Sequence, residues 1–256
     1  MTFEDYILNP MQKQGKVFNA TMREAMRSSY KAKFDSILLR EAGKIEYHKF
    51  KDEKFNLFYI LIKIPSEVVP GFYYDVVLKF FAGADIKDAG LTLNRYNMQV
   101  YSNDPSFNFT YAYVFKKNNL VIKELEPKLA KLSRTTAPKE TNPEEQIGYV
   151  KSLYFAYLYM KQKGLFNTTI AWADAEPYNK SKLLKLVENA DTKIEERIRE
   201  GKKVNIRKKI QVSKDTAKKI DRINISDTTK AKVVTTTKKT PTIRKTKDVT
   251  TSKKKK

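Results

Sequence analysis

Residues Leu91 to Lys117, LTLNRYNMQVYSNDPSFNFTYAYVFKK, constrain the fold more than any other stretch of this chain. Two runs rich in β-branched and aromatic residues flank a short polar break, Ser102-Asn103-Asp104-Pro105-Ser106. Val, Tyr, Phe and Thr suit a pleated, half-buried surface, and Asn, Asp and Pro punctuate turns. The pattern predicts a β-hairpin, or two consecutive strands joined by a tight corner. In the second run Phe107, Phe109, Tyr111, Tyr113 and Phe115 share one parity, and Asn108, Thr110, Ala112, Val114 and Lys116 share the other. Successive strand side chains point to opposite faces, so the alternation predicts an aromatic face that other elements must cover.

The residues before this stretch supply further strands. Lys44 to Phe50 alternates, and Lys51-Asp52-Glu53-Lys54 makes a charged turn. Phe55 to Ile64, FNLFYILIKI, is nearly continuously apolar and reads as a strand buried on both faces. Pro65-Ser66 ends it and Pro70-Gly71 marks a turn. Tyr73 to Ala82, YYDVVLKFFA, is the next strand, and Gly83 and Gly90 bracket a polar loop containing Asp85 and Asp88. Five strands with short connections over 44–117 favour an antiparallel sheet.

Helices flank the sheet in sequence. A long helix is expected over 10–42, with Asn9 as cap, Pro10 at the first position and Gly43 as the stop. Phe18, Met22, Met26, Tyr30, Phe34 and Leu38 recur at spacing four along it and predict a core-facing stripe, or else a partner-binding face. A helix over 119–132 is expected to break at Pro127. Another is expected over 143–163, capped by Asn142, started by Pro143 and ended by Gly164, with an aromatic centre from Tyr149 to Met160 that covers the sheet. Leu165 to Trp172 is a candidate short strand or extended arm, and 180–200 a last helix with Leu183, Leu184, Val187 and Ile194 on its apolar side. The fold class that results is α+β: an antiparallel sheet of about five strands packed against two or three helices, in a domain spanning 1–200.

After Gly201 the composition changes. The 256-residue chain carries a formal net charge of +22, and residues 201–256 hold 20 Lys/Arg against 4 Asp/Glu, which is +16. The first 200 residues hold 31 against 25, or +6. Aromatics vanish from the extension and its end is nearly TTK and TKK repeats, so it cannot bury enough apolar surface to offset the entropy of ordering, and disorder is expected. Val204-Asn205-Ile206, Ile210-Gln211-Val212 and Ile220 to Ile225 keep enough alternation to pair as a strand with a partner chain.

Such charge points to a polyanion, nucleic acid first and an acidic protein or membrane surface after it. Lys202, Lys203, Arg207, Lys208 and Lys209 open the candidate contact set. Lys218, Lys219 and Arg222 follow; Lys238, Lys239, Arg244, Lys245 and Lys247 stand among the repeats, and Lys253, Lys254, Lys255 and Lys256 close it. Lysine and arginine neutralise phosphates and release counterions without reading bases. The want of aromatics in the extension speaks against stacking on single strands.

Catalytic classes find little to work with. There is no cysteine, which excludes disulfides, thiolate chemistry and cysteine-based zinc sites. His48, the single histidine, sits in the alternating run IEYHKF beside Glu46 and Lys49 and reads as an ordinary sheet-edge residue. None of the eight glycines falls in a phosphate-cradling motif, and no GxSxG elbow occurs. Asp75, four residues before Lys79, together with Asp85 and Asp88, is the nearest approach to a metal-dependent nuclease, but its spacing is loose and turn or surface roles fit as well. No cofactor and no small-molecule substrate are implied. Met1-Thr2-Phe3-Glu4-Asp5-Tyr6 is acidic where a secretory signal is basic and then apolar, and the apolar runs are too short to span a bilayer, so a soluble protein without membrane contact is expected.

The segment Tyr101-Ser102-Asn103-Asp104-Pro105-Ser106-Phe107-Asn108-Phe109-Thr110-Tyr111-Ala112-Tyr113, with the later Ile147-Gly148-Tyr149-Val150-Lys151-Ser152-Leu153-Tyr154-Phe155-Ala156, resembles virion structural proteins of tailed bacteriophages. The resemblance covers 96–164. It implies a neck or head–tail joining protein: a small antiparallel sheet backed by helices, assembling into a homo-oligomeric ring with other virion proteins after synthesis in the host cytoplasm. The family supplies no catalytic residues, and a long basic extension departs from its neck proteins. Three functions follow as expectations: a non-enzymatic particle subunit whose extension contacts double-stranded DNA or an acidic neighbour, a free nucleic-acid-binding protein, and a metal-dependent nuclease.

Overall fold

The computed structural model describes residues 1–8, 12–13, 16–17, 19–41, 45–82 and 92–201. The chain opens with helix α1 (Phe3–Leu8), a short antiparallel pair β1 (Gln12–Lys13) and β2 (Lys16–Val17), and the long helix α2 (Ala20–Arg40). The main sheet follows with β3 (Tyr47–Asp52), β4 (Leu57–Pro65), β5 (Tyr73–Phe81) and β6 (Asn97–Ser102). A π-helical turn, Phe107–Tyr111, runs into α3 (Ala112–Lys117), and α4 (Lys131–Thr135) and α5 (Lys151–Gln162) come next. Last are β7 (Glu176–Pro177), α6 (Lys180–Leu186) and α7, helical over 190–201.

The fold is α+β. The sheet order is β6-β5-β4-β3-β7, antiparallel except where β7 runs parallel to β3. The sheet is therefore mixed, and its fifth strand comes from Glu176–Pro177 and not from the second half of the 91–117 stretch.

Register and parity explain why β4 and β5 are apolar almost throughout. Phe58 pairs with Phe80, Ile60 with Leu78, Ile62 with Val76 and Ile64 with Tyr74, all on one face. That face meets α1, α2 and α5. Phe3 lies 5.9 Å from Phe80 and 5.7 Å from Tyr157, ring centre to ring centre, and Phe34 lies 5.4 Å from Phe155. The other parity pairs Tyr59 with Lys79, Leu61 with Val77 and Lys63 with Asp75. It is covered by the chain from Lys123 to Lys128 and by the C-terminal arm, where Leu183 and Val187 are buried and Tyr178 stacks on Tyr59 at 4.3 Å. Sheets covered on both faces read as continuous apolar runs rather than alternating ones.

The stretch expected to make a hairpin makes only one strand. Phe107, Tyr111, Val114 and Phe115 are buried while Phe109 is 43 % exposed, a helical spacing and not an alternation. Asp104 followed by Pro105 starts this helix: Asp104 Oδ1 accepts the Ser106 N–H at 2.9 Å, and proline at the first helical position loses no bond. The edge of β6 where a hairpin partner would lie is occupied instead. Met98 N–H donates to Met1 O at 3.1 Å, Val100 N–H donates to Leu120 O at 2.7 Å, and Ile122 N–H donates to Val100 O at 3.1 Å.

Asn108 fixes the turn. Its Nδ2 donates to Ser102 O at 2.9 Å and Asp104 O at 3.0 Å, and its Oδ1 accepts the Ala130 N–H at 2.9 Å. Asn108→Ala takes this partner from Ser102 O and the Ala130 N–H, while Asp104 O keeps the backbone N–H of residue 108 at 3.0 Å, and each buried group left unsatisfied costs about 1–3 kcal/mol. A loss of at least about 2 kcal/mol is expected in urea denaturation followed by the emission of the single tryptophan, buried Trp172.

Other boundaries also move. The N-terminal helix starts at Ala20 and not at residue 10, because Asn19 is the residue whose side chain accepts the Met22 N–H, at 2.9 Å. Within its stripe Phe34 is buried, Met26, Tyr30 and Leu38 pack against the core, and Met22 stays 47 % exposed. Pro143 does not start a helix. Asn142 Oδ1 caps an isolated turn by accepting the Gln146 N–H at 3.0 Å, Glu145 takes a φ of 49°, and α5 begins only at Lys151. The expected helix over 119–132 is a 3-10 turn through Pro127 followed by the short α4. The last helix is broken into α6 and α7, each with its own asparagine cap: Asn179 accepts the Lys182 N–H at 3.0 Å and Asn189 accepts the Asp191 N–H at 2.9 Å. Leu165 to Trp172 forms turns and no strand. Gly164 ends α5 at φ +66°, as expected of a residue without a Cβ.

Candidate binding cleft

The basic residues from Lys202 to Lys256 lie outside the described residues, as do Asp85 and Asp88. Of the acids considered for catalysis, Asp75 is described, and its position is structural. It is 1 % exposed and sits directly across the β4–β5 ladder from Lys63. Lys63 Nζ lies 2.8 Å from Asp75 Oδ1, a charge contact, since this oxygen receives no aligned hydrogen bond. Oδ2 accepts from Asn103 Nδ2 at 3.1 Å and from the Glu188 N–H at 2.7 Å. Burial pushes the Asp75 carboxyl above its ordinary value, against the pull of the Glu188 N–H and Lys63.

The bonds around Asp75 fasten the C-terminal arm. Tyr101 OH lies 2.7 Å from Glu188 O, and Lys128 Nζ donates to Val187 O at 2.7 Å. Lys193 reaches Glu188 at 3.0 Å and Glu196 at 3.1 Å while its ammonium lies 4.4 Å from the centre of the Phe72 ring. His48, on β3, pairs with Leu61 of β4, while β7 reaches β3 at Phe50 and Lys51, and His48 Nε2 lies 2.9 Å from Glu46 Oε1. Among the described residues no three His, Asp or Glu converge as a metal site, and no helix is long and apolar enough to cross a membrane.

A concave site lined by charged groups of both signs opens where the polar break Ser102–Ser106 meets α2, α5 and α7. It has a volume of about 430 Å³. Tyr30 and Lys33 come from α2, Ser66 and Glu67 from the loop after β4, Tyr74 from β5, Thr110 and Tyr111 from the π-turn, Lys151 and Phe155 from α5, and Arg197 from α7. Segments far apart in sequence thus converge on it. π-turns recur at functional sites because they re-aim side chains, and this one forms a wall of the cleft.

The cleft carries both signs of charge. Glu67 binds two cations, Lys33 at 3.1 Å and Lys151 at 2.6 Å, and the Lys151 hydrogen bond holds its carboxyl below the usual range. Arg197 Nε donates to Tyr74 OH at 2.6 Å. Burial raises the Tyr30 and Tyr74 phenols, and Asp104 nearby pushes both further up. Burial also lifts Tyr111, to about 12. Tyr149 is likewise raised by burial, so all four phenols stay neutral hydrogen-bonding groups. Tyr30 and Tyr149 stack at 5.6 Å with an interplanar angle of 13°.

Sequence reasoning marks the break at 102–106 as a turn and the tyrosines as core, so the cleft is not among its candidate sites. The available signal is Asp104-Pro105 as a helix start within an aromatic run. No protein-family model, curated protein or solved structure matches this chain.

Proposed function

We propose that this chain is a non-enzymatic structural subunit of a tailed-phage particle, placed at the neck or head–tail connection or completing the tail, with its basic extension against DNA or an acidic neighbouring subunit. The observation that carries this is the separation of roles along the chain. A body cored by interlocking aromatics is followed by an extension with 20 Lys/Arg against 4 Asp/Glu. Such a body makes contacts by shape, and such an extension acts through charge without sequence readout.

The chemistry of the body agrees with that role. Asp75, the most deeply buried acid among the described residues, ties the arm over 186–191 to the sheet. That arm leads directly towards the extension. The resemblance of 96–164 to virion structural proteins adds support from sequence.

Negative-stain microscopy of the purified full-length protein tests the proposal. Rings of fixed subunit number are expected, and mass spectrometry of purified particles should find the chain. A strict monomer, absent from particles and binding DNA with sequence preference, would establish the free nucleic-acid-binding reading instead.

A further inference from the structure

Asp104 is 8 % exposed, and its carboxylate is only half used. Oδ1 accepts the Ser106 N–H at 2.9 Å, while Oδ2 takes no donor among the described residues. None of the cations lining the cleft pairs with Asp104 among the described residues. Glu67 holds Lys33 and Lys151 at 3.1 and 2.6 Å, and Arg197 turns its Nε to Tyr74 OH at 2.6 Å. Among the described residues Asp104 makes no ion pair, and its Oδ2 is an acceptor open to a cation that enters the cleft.

The surroundings suit one kind of cation. Tyr30, Tyr111 and Tyr149 line the cleft with Asp104, Tyr30 and Tyr149 stacked on each other, and electron-rich aromatic rings around a carboxylate favour positive charge. Phenol oxygens add hydrogen-bond acceptors for an ammonium group, which offers three N–H donors. Pro65 and Phe155 provide apolar wall for an alkyl stem. A volume of about 430 Å³ admits an aliphatic chain ending in an ammonium.

We propose that this cleft is a receptor site for a primary ammonium group, seated against Asp104 and enclosed by the tyrosines. A lysine side chain of a neighbouring protein and a free aliphatic diamine both carry this group. The site does not depend on the chain's place in a particle. Arg197, in the same cleft, opposes the bound charge and so limits affinity.

Calorimetric titration of the full-length protein with N-acetyl-lysine-N-methylamide, 1,4-diaminobutane and N-acetyl-norleucine-N-methylamide tests this. The lysine derivative or the diamine should bind with Kd on the order of 1 mM, and the uncharged norleucine analogue at least about ten-fold more weakly. Tighter binding of the lysine derivative assigns the site to a protein partner, and tighter binding of the diamine assigns it to free amines. Asp104→Asn keeps an acceptor for the Ser106 N–H, so the turn survives, yet binding should fall at least about ten-fold. Arg197→Gln should tighten it by a few-fold, an effect that a merely structural Asp104 would not produce. Equal binding of the norleucine analogue, or an Asp104→Asn variant with native Trp172 emission and undiminished amine affinity, overturns the proposal.

Discussion

Asp75→Ala should lower the unfolding free energy by about 3–5 kcal/mol, read from urea denaturation of the full-length chain. Three groups lose their partner at once. The Glu188 N–H and Asn103 Nδ2 lose their acceptor, and Lys63 loses its nearest carboxylate, keeping Leu186 O at 3.3 Å and Glu188 at 4.0 Å. The carboxylate charge is not what stabilises this site. Burial outweighs its partners and raises the Asp75 pKa, so the ionised form is the strained one. Asp75→Asn, which still offers an oxygen to the Glu188 N–H, should therefore cost less than half as much as alanine.

The pH dependence follows with a definite sign. A carboxyl whose folded-state pKa is raised binds its proton more tightly when folded. Its contribution to stability is complete below the ordinary value of 3.8 and is lost as pH rises through the raised value. The stability of the native protein relative to Asp75→Asn should accordingly grow as the pH is lowered towards 3.8. A native-minus-variant difference that shrinks on acidification would mean that the Lys63 ion pair dominates after all.

The second large effect concerns the extension. Binding of double-stranded DNA by the full chain should fall by roughly 10³-fold or more between 50 and 200 mM salt, as for six or more neutralised phosphates. The extension brings 20 Lys/Arg, so that number needs only a third of them engaged. A chain ending at Gly201 keeps 31 Lys/Arg against 25 Asp/Glu and should bind weakly, with a shallow salt slope. Duplexes of different sequence should be bound within a few-fold of one another by the full chain, because phosphate contacts carry no base information. Tight, sequence-selective binding by the shortened chain would place recognition in the body and remove the extension from its assigned role.

Both predictions bear on one arrangement. The arm over 186–191 is held to the sheet by Asp75, Tyr101 and Lys128, and α7 then carries the chain to the start of the extension. Loosening the arm should leave the charge of the extension intact while freeing its point of attachment. An Asp75 variant that remains folded should thus keep the salt slope of DNA binding even as its stability drops.

Local chemistry was enough for the strands Leu57–Pro65 and Tyr73–Phe81, the stop at Gly164 and the aromatic α5 over the sheet. Each depends on a continuous apolar run, a missing Cβ or a helical spacing, all readable within about a dozen residues. The class of fold was legible for the same reason, since those runs are too short and too β-branched for anything but sheet. Equally local signals misled where two conflicted. Asn142-Pro143 and Asp104-Pro105 are alike as helix starts, yet only the second opens a helix. Glu145, at a φ of 49°, interrupts the first, whereas Phe107, Tyr111 and Phe115 after the second fall on one buried side.

What only the tertiary structure decided is which residues meet. The alternation of Phe107 to Phe115 gave way to a helix because the free edge of β6 is filled by Met1 and by Leu120 to Ile122, leaving no strand to pair with. Lys63 and Asp75 stand twelve positions apart in two apolar runs, and pairing across β4 and β5 turned them from stray charges into the fastening of the C-terminal arm. The Asp104 cleft draws its walls from helices, strands and loops between Tyr30 and Arg197. No pattern along the chain encodes such a meeting, because it arises from long-range packing whose geometry the side chains settle only together.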